Sequence, residues 1–136
     1  TSVKDAHDRF ANQEVSYLLQ RVEEFPGLSI LASNFKSNLD EAFTRRFQSV
    51  VYFPVPKPAE RLTLWQQTFP PAVQLDATIN LRQIAEKYEL SGSNIVNIVH
   101  YCCLQALAAD SNIITLEILI TGINREFVKE NKVINN

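Results

Sequence analysis

Three prolines fall within residues 54–58, Pro54-Val55-Pro56-Lys57-Pro58, and no regular strand or helix can run through them. Proline lacks a backbone N–H and its ring fixes φ, so the run is a stiff connector that cannot continue a central strand. Pro58 suits the first turn of a following helix, where its missing donor is not needed. The connector therefore divides the 136 residues into two lobes, 1–55 and 56–136.

Before the connector, residues 10–25 carry Val15, Leu18, Leu19 and Val22 at helical spacing, with Glu14, Gln20, Arg21 and Glu23 opposite. Pro26-Gly27 ends that helix. Residues 28–33 are short and mostly apolar, which predicts a strand buried on both faces, and residues 49–53 predict a second. Between them Asn38 and Glu41 have capping-box spacing for a short helix reaching about Arg46. Beyond the connector every apolar pattern is helical. Leu62, Trp65 and Phe69 mark one helix, closed by Pro70-Pro71, and Leu81, Ile84, Ala85 and Tyr88 a second. Ser91 caps a third with Ile95, Ile98, Val99, Cys102, Ala106 and Leu107, and Thr115 a fourth with Leu116, Leu119, Ile120, Ile123 and Phe127. The expected architecture is an α/β part with two strands and two helices, then an all-α part of four helices. Two apolar strands without further partners leave open edges and uncovered faces, so something that completes the sheet is expected elsewhere. The chain also lacks methionine, so Thr1 is expected to be a processed or excised start and the whole a piece of something longer.

Several functions are excluded by pattern. Thirteen Lys and Arg against fifteen Asp and Glu give a net charge of −2, no electrostatic footprint for nucleic acid. The longest apolar runs fall far below the roughly 20 residues that cross a bilayer, and no basic stretch precedes an apolar one at the start. The three glycines are followed by Leu28, Ser93 and Ile123, so no Gly-x-x-x-x-Gly-Lys-Ser/Thr phosphate loop exists. Cys102 and Cys103 are adjacent and cannot frame disulfides, which points to a reducing, cytoplasmic setting. With His100 they do not make a metal site, because structural zinc wants four well-spaced ligands.

Three places could carry chemistry. Asn34 lies just past the carboxyl end of a predicted strand, where open α/β sheets bind ligands; a loop Asn satisfying local backbone would also sit there. Arg45 and Arg46 form an adjacent pair at a helix carboxyl end, a position the helix dipole favours even without a ligand. The turn Leu90-Ser91-Gly92-Ser93-Asn94 lets a flat ligand approach backbone beside a helix N-terminus, and it also serves as an ordinary cap.

Taken in order, these elements resemble the AAA ATPases of the AAA+ superfamily. Ile30-Leu31-Ala32-Ser33-Asn34, Leu39-Asp40-Glu41-Ala42-Phe43 and Arg45-Arg46-Phe47 are similar to the family's second region of homology. That region runs from an Ile/Leu-Ala-Thr-Asn strand end to an arginine pair closing in Arg-Phe. Tyr52-Phe53-Pro54-Val55-Pro56 and the Arg61 helix resemble the passage into the family's helical lid, and Ser91-Gly92-Ser93-Asn94-Ile95 the lid's Ser-Gly-Ala-Asp turn. Residues 10–24 resemble the helix after Walker B. The resemblance implies the end of a P-loop NTPase-like parallel sheet followed by a four-helix lid. It makes Asn34 sensor 1, holding the attacking water and the γ-phosphate. Arg45 and Arg46 become arginine fingers for the neighbouring protomer, and Gly92 and Ser93 line the adenine pocket.

The resemblance further implies a ring-forming parent, a hexameric homo-oligomer that hydrolyses ATP with Mg²⁺ and works on a protein substrate. The chain departs from the pattern in three ways. The arginine spacing is shortened, Ser33 stands for Thr, and Asn94 stands for Asp. Asp40-Glu41 follows no apolar strand, so Walker B is missing with Walker A. The chain alone is therefore expected to be inactive, without a cofactor or metal site. The strands at 28–33 and 49–53 flank a third strand in the family, so here they should pair abnormally or borrow from another copy while the lid folds normally. Two other readings stay open: a helical protein-interaction module, and a clamp-loader-like component on DNA, which salt-sensitive DNA binding would reveal.

Overall fold

The computed structural model describes residues 2–33 and 44–131. Contacts group the chain into two compact units, Thr1–Val51 and Tyr52–Asn136.

In the first unit, helix α1 spans Ser2–Glu24. It starts earlier than its apolar pattern because no proline or glycine interrupts the residues ahead of Phe10. It stops before Phe25, whose helical conformation is disfavoured by the ring of Pro26. Leu19 is buried, whereas Val15 and Leu18 of the same stripe are exposed. The two predicted strands do not form: residues 28–33 and 49–53 have no ladder partner among the described residues. Leu28 and Ile30 are 86% and 84% exposed. An apolar strand is stabilised by neighbours on its edges and faces, and among the described residues none is supplied. The abnormal pairing expected of these two segments is likewise not found there. The short helix predicted from Asn38 lies largely outside the described residues. Within the described residues Thr44 is helical and a turn follows it, in which Phe47 N–H donates to Thr44 O at 3.3 Å.

The second unit holds four helices, α2 (Pro58–Thr68), α3 (Leu81–Lys87), α4 (Gly92–Ala108) and α5 (Leu116–Lys129). Pro58 opens α2, and Lys57 N–H donates to Glu60 Oε2 at 2.7 Å. Asn80 caps α3 by accepting from Arg82 N–H and Gln83 N–H. Ser91 and Thr115 accept from Asn94 N–H and Ile118 N–H at the starts of α4 and α5. Helix α4 ends with Asp110 at φ 51°, a left-handed position that Asp tolerates, and Ser111 N–H returns to Ala106 O at 2.9 Å.

An all-α expectation misses one feature here. Strands β1 (Gln74–Leu75) and β2 (Ile113–Ile114) form a two-stranded parallel sheet with Gln74 opposite Ile113. Two residues carry no periodicity, so only the fold shows them. They tie the loop after α2 to the loop before α5. The structure is thus α/β in a broad sense, five helices and this small sheet among the described residues.

The core gathers Trp65, Ile84, Leu90, Ile95, Ile98, Val99, Cys102, Ile114, Leu119 and Ile123. Gly122 permits α4 and α5 to approach, since a Cβ there would stand 3.0 Å from Tyr101 Cδ1 and 3.1 Å from Ile98 Cγ2. Arg61 is buried, and its guanidinium donates to Ala85 O at 2.8 Å and Pro56 O at 2.6 Å. That side chain fixes the end of the proline-rich connector against α3.

Candidate functional site

The predicted site residues fall in both units. Asn34 lies outside the described residues. Arg45 and Arg46 sit in the exposed turn after Thr44. Arg46 Nη1 lies 3.4 Å from Glu23 Oε1, both side chains about half exposed at 48% and 52%. An ion pair so open to water is worth at most about 1 kcal/mol, so it does not hold the guanidinium against a stronger anion.

Gly92 is the first residue of α4, and Ser93 beside it is exposed. Their N–H groups precede the helix's own bonding ladder and open toward its N-terminus. No glycine among the described residues has a positive φ, and a Cβ on Gly92 would make only an ordinary 3.9 Å contact with Leu64 Cδ1. The fold itself therefore has no need of glycine at this position. The missing Cβ leaves backbone accessible to a flat ligand.

Sequence reasoning did not identify the groups that hold this turn. Asn94 is buried and its Nδ2 donates to Glu126 Oε2 and Glu130 Oε1 at the end of α5. The one available signal was Asn94 itself, a neutral amide where the resemblance expects a carboxylate.

His100, Cys102 and Cys103 do not assemble a metal centre: among the described residues no three or more His, Cys, Asp or Glu side chains could hold an ion. Burial pushes the Cys102 thiol up to about 12, with neighbouring Cys103 adding to the shift, and burial raises Cys103 as well. Only the thiolate alkylates. At pH 8 both are therefore expected to react more slowly than a free thiol, Cys103 first and buried Cys102 only in denaturant. Pulse alkylation read by peptide mass checks the order.

No protein-family model matches the chain. Over 79 residues, 57% of its length, it is 38% identical to a rat katanin p60 ATPase-containing protein of the A-like 1 type. The human protein of the same name is 37% identical and the mouse protein 35% identical over the same length. The chain thus contains a region similar to part of these p60 ATPase-containing proteins. It spans 16% of the length of these relatives. Among the described residues no helix is long and apolar enough to cross a membrane.

Proposed function

We propose that this chain is the carboxyl-terminal part of an AAA ATPase module, with residues 1–55 from its large α/β subdomain and residues 56–136 forming its helical lid. The observation that carries the reading is the likeness, over 57% of the chain, to proteins whose name contains a p60 ATPase. A glycine at position 92 that the fold does not require supports it. In this reading Asn34 is sensor 1 and orients the attacking water. Arg45 and Arg46 reach the nucleotide of the next protomer, where a guanidinium neutralises charge on the transferred phosphoryl. Gly92 and Ser93 pass close to the adenine.

ATP and Mg²⁺ belong to the longer protein, a homo-oligomeric ring in the cytoplasm acting on protein. Among the described residues no three His, Cys, Asp or Glu side chains are grouped to hold an ion, and no ligand to the metal is assigned in this chain. Alone, the chain neither binds the triphosphate well nor turns it over.

The gene sequence ahead of Thr1 tests the proposal. An apolar strand ending in Asp-Glu, preceded by a Gly-x-x-x-x-Gly-Lys-Ser/Thr loop, is expected, and unrelated sequence there sinks it. Gly92→Ala supplies a biochemical test. It is expected to raise stability by about 0.5 kcal/mol through the unfolded chain while weakening ATP binding by the longer protein. Urea midpoints and nucleotide titration read the two effects separately.

A second reading, a helical interaction module, has its own support. Helix α4 contains no Asp, Glu, Lys or Arg, yet Leu104 and Leu107 are 64% and 74% exposed. Retained function after loss of both arginines would favour it.

A further inference from the structure

Asn94 is 3% exposed, and every hydrogen-bonding position of its side chain is in use. Oδ1 accepts from Ser91 N–H at 2.9 Å and from Ser91 Oγ–H at 2.8 Å. Nδ2 donates to Glu126 Oε2 at 3.0 Å and to Glu130 Oε1 at 2.7 Å. Two acceptor sites and two N–H donors are all that an amide has. Ser91 is equally committed. Its hydroxyl proton goes to Asn94, so the 2.9 Å contact with Ser93 Oγ has Ser93 as donor, and Asn94 N–H donates to Ser91 Oγ at 3.2 Å. One directed chain thus runs from Ser93 through Ser91 to Asn94, and a second from Asn94 into two carboxylates at the end of α5.

We infer that Asn94 is a positioning residue, a neutral clasp that fastens the Ser91–Gly92–Ser93 turn to the last turn of α5. Resting on the nucleotide reading above, the clasp holds Gly92 and Ser93 at the distance an adenine ring requires. Neutrality is the essential property. An aspartate has the same shape but no donor, and at this place it would face Glu126 and Glu130 as a third carboxylate. Among the described residues, Lys129 also stands close, its Nζ 3.5 Å from Glu126 Oε1, beside the uncharged Asn97 and Ser91. An aspartate there would bring a carboxylate oxygen against Glu126 Oε2 and Glu130 Oε1 with no proton to give either, and like charges so placed favour the uptake of a proton by one of them. This explains why the chain departs from its family's aspartate: Glu126 and Glu130 already supply the acceptors.

The test is amide hydrogen exchange in the 136-residue chain. Asn94→Asp is expected to speed exchange of the residue 91–95 amides about tenfold at pH 7.5, with the gap closing toward pH 5 as a carboxyl protonates. Asn94→Asp combined with Glu130→Gln moves the donor to the other side at constant charge, and exchange should return to within about threefold of the parent. The β1–β2 amides report the remainder of the unit and should be unaffected. Should Asn94→Asp unfold at pH 7.5, refolding at pH 5 or with Glu130→Gln supports the clasp. Wild-type exchange in Asn94→Asp overturns it, and so does a loss that neither acid nor Glu130→Gln repairs. In the longer protein Asn94→Asp is expected to raise the KM for ATP with kcat little changed. A loosened turn with unchanged KM would overturn the positioning role while leaving the clasp intact, whereas no ATP turnover in the parent protein would strike the nucleotide reading alone.

Discussion

Exchanging Arg45 and Arg46 together for Ala in the proposed longer ATPase is expected to lower turnover by roughly 10³–10⁵ while leaving nucleotide affinity almost unchanged. The split follows from when the charge is needed. Ground-state ATP is already held by other groups, whereas negative charge shifts onto the leaving and transferred oxygens only as the bond breaks. A guanidinium delivered to those oxygens lowers the barrier by about 4–7 kcal/mol, the equivalent of that rate factor. The loss should appear in the neighbour. Mixing variant protomers with protomers whose own phosphate loop is disabled would leave activity only where an intact arginine faces an intact loop. The single exchanges assign the roles of the two residues. Arg46 has Glu23 at 3.4 Å as a half-exposed partner, a surface pair of about 1 kcal/mol or less. Removing that pair with Glu23→Gln should barely alter turnover if the guanidinium acts on the neighbour's phosphate. Full turnover in the double variant would reduce both arginines to solvated surface.

What could be read in advance depended on the range of the information. Helix patterning is local, and the residues that point inward from α2 to α5, among them Trp65, Ile84, Ile95, Ile98, Cys102, Leu119 and Ile123, are buried. The chemistry of helix starts is local too: Ser91 and Thr115 act as caps because a hydroxyl reaches a free N–H three residues on. Strands are different. Residues 28–33 have the composition of a buried strand, but pairing is a property of a neighbour's backbone, and no sequence pattern guarantees that the neighbour is present. The same limit hid β1 and β2. Leu107 shares the helical spacing of the core and is nevertheless exposed, because the apolar face of α4 is wider than the surface packed against it. Asn94 contacts residues 32 and 36 positions away, and Arg61 is held by backbone carbonyls that any residue type provides. For the site, the pattern proposed where the candidate residues stand, but the support beneath Gly92 and Ser93 came only from the fold.

The largest stability effect is expected at Trp65. The side chain is fully buried, its ring lies 5.9 Å from that of Phe69 at an interplanar angle of 19°, and it meets the core from α2. Trp65→Ala should cost about 3–5 kcal/mol, the transfer term plus an unfilled cavity. A small unit has about 5–15 kcal/mol in all, so the variant would be partly unfolded at modest urea. The indole nitrogen makes Trp65→Phe the more informative comparison. Among the described residues Trp65 Nε1 is buried without a hydrogen-bond partner, and an orphaned donor of that kind costs about 1–3 kcal/mol. Phenylalanine removes the orphan along with part of the ring. The lost contacts and the relieved donor oppose one another, and the variant should stay within about 1.5 kcal/mol of the parent. Circular dichroism at the urea midpoint is the measurement, because the chain has a single tryptophan and the tryptophan fluorescence is lost with it. A Phe variant as weak as the Ala variant would mean that the N–H is paired in solution, and that α2 is held to the core by a polar contact as well as by packing.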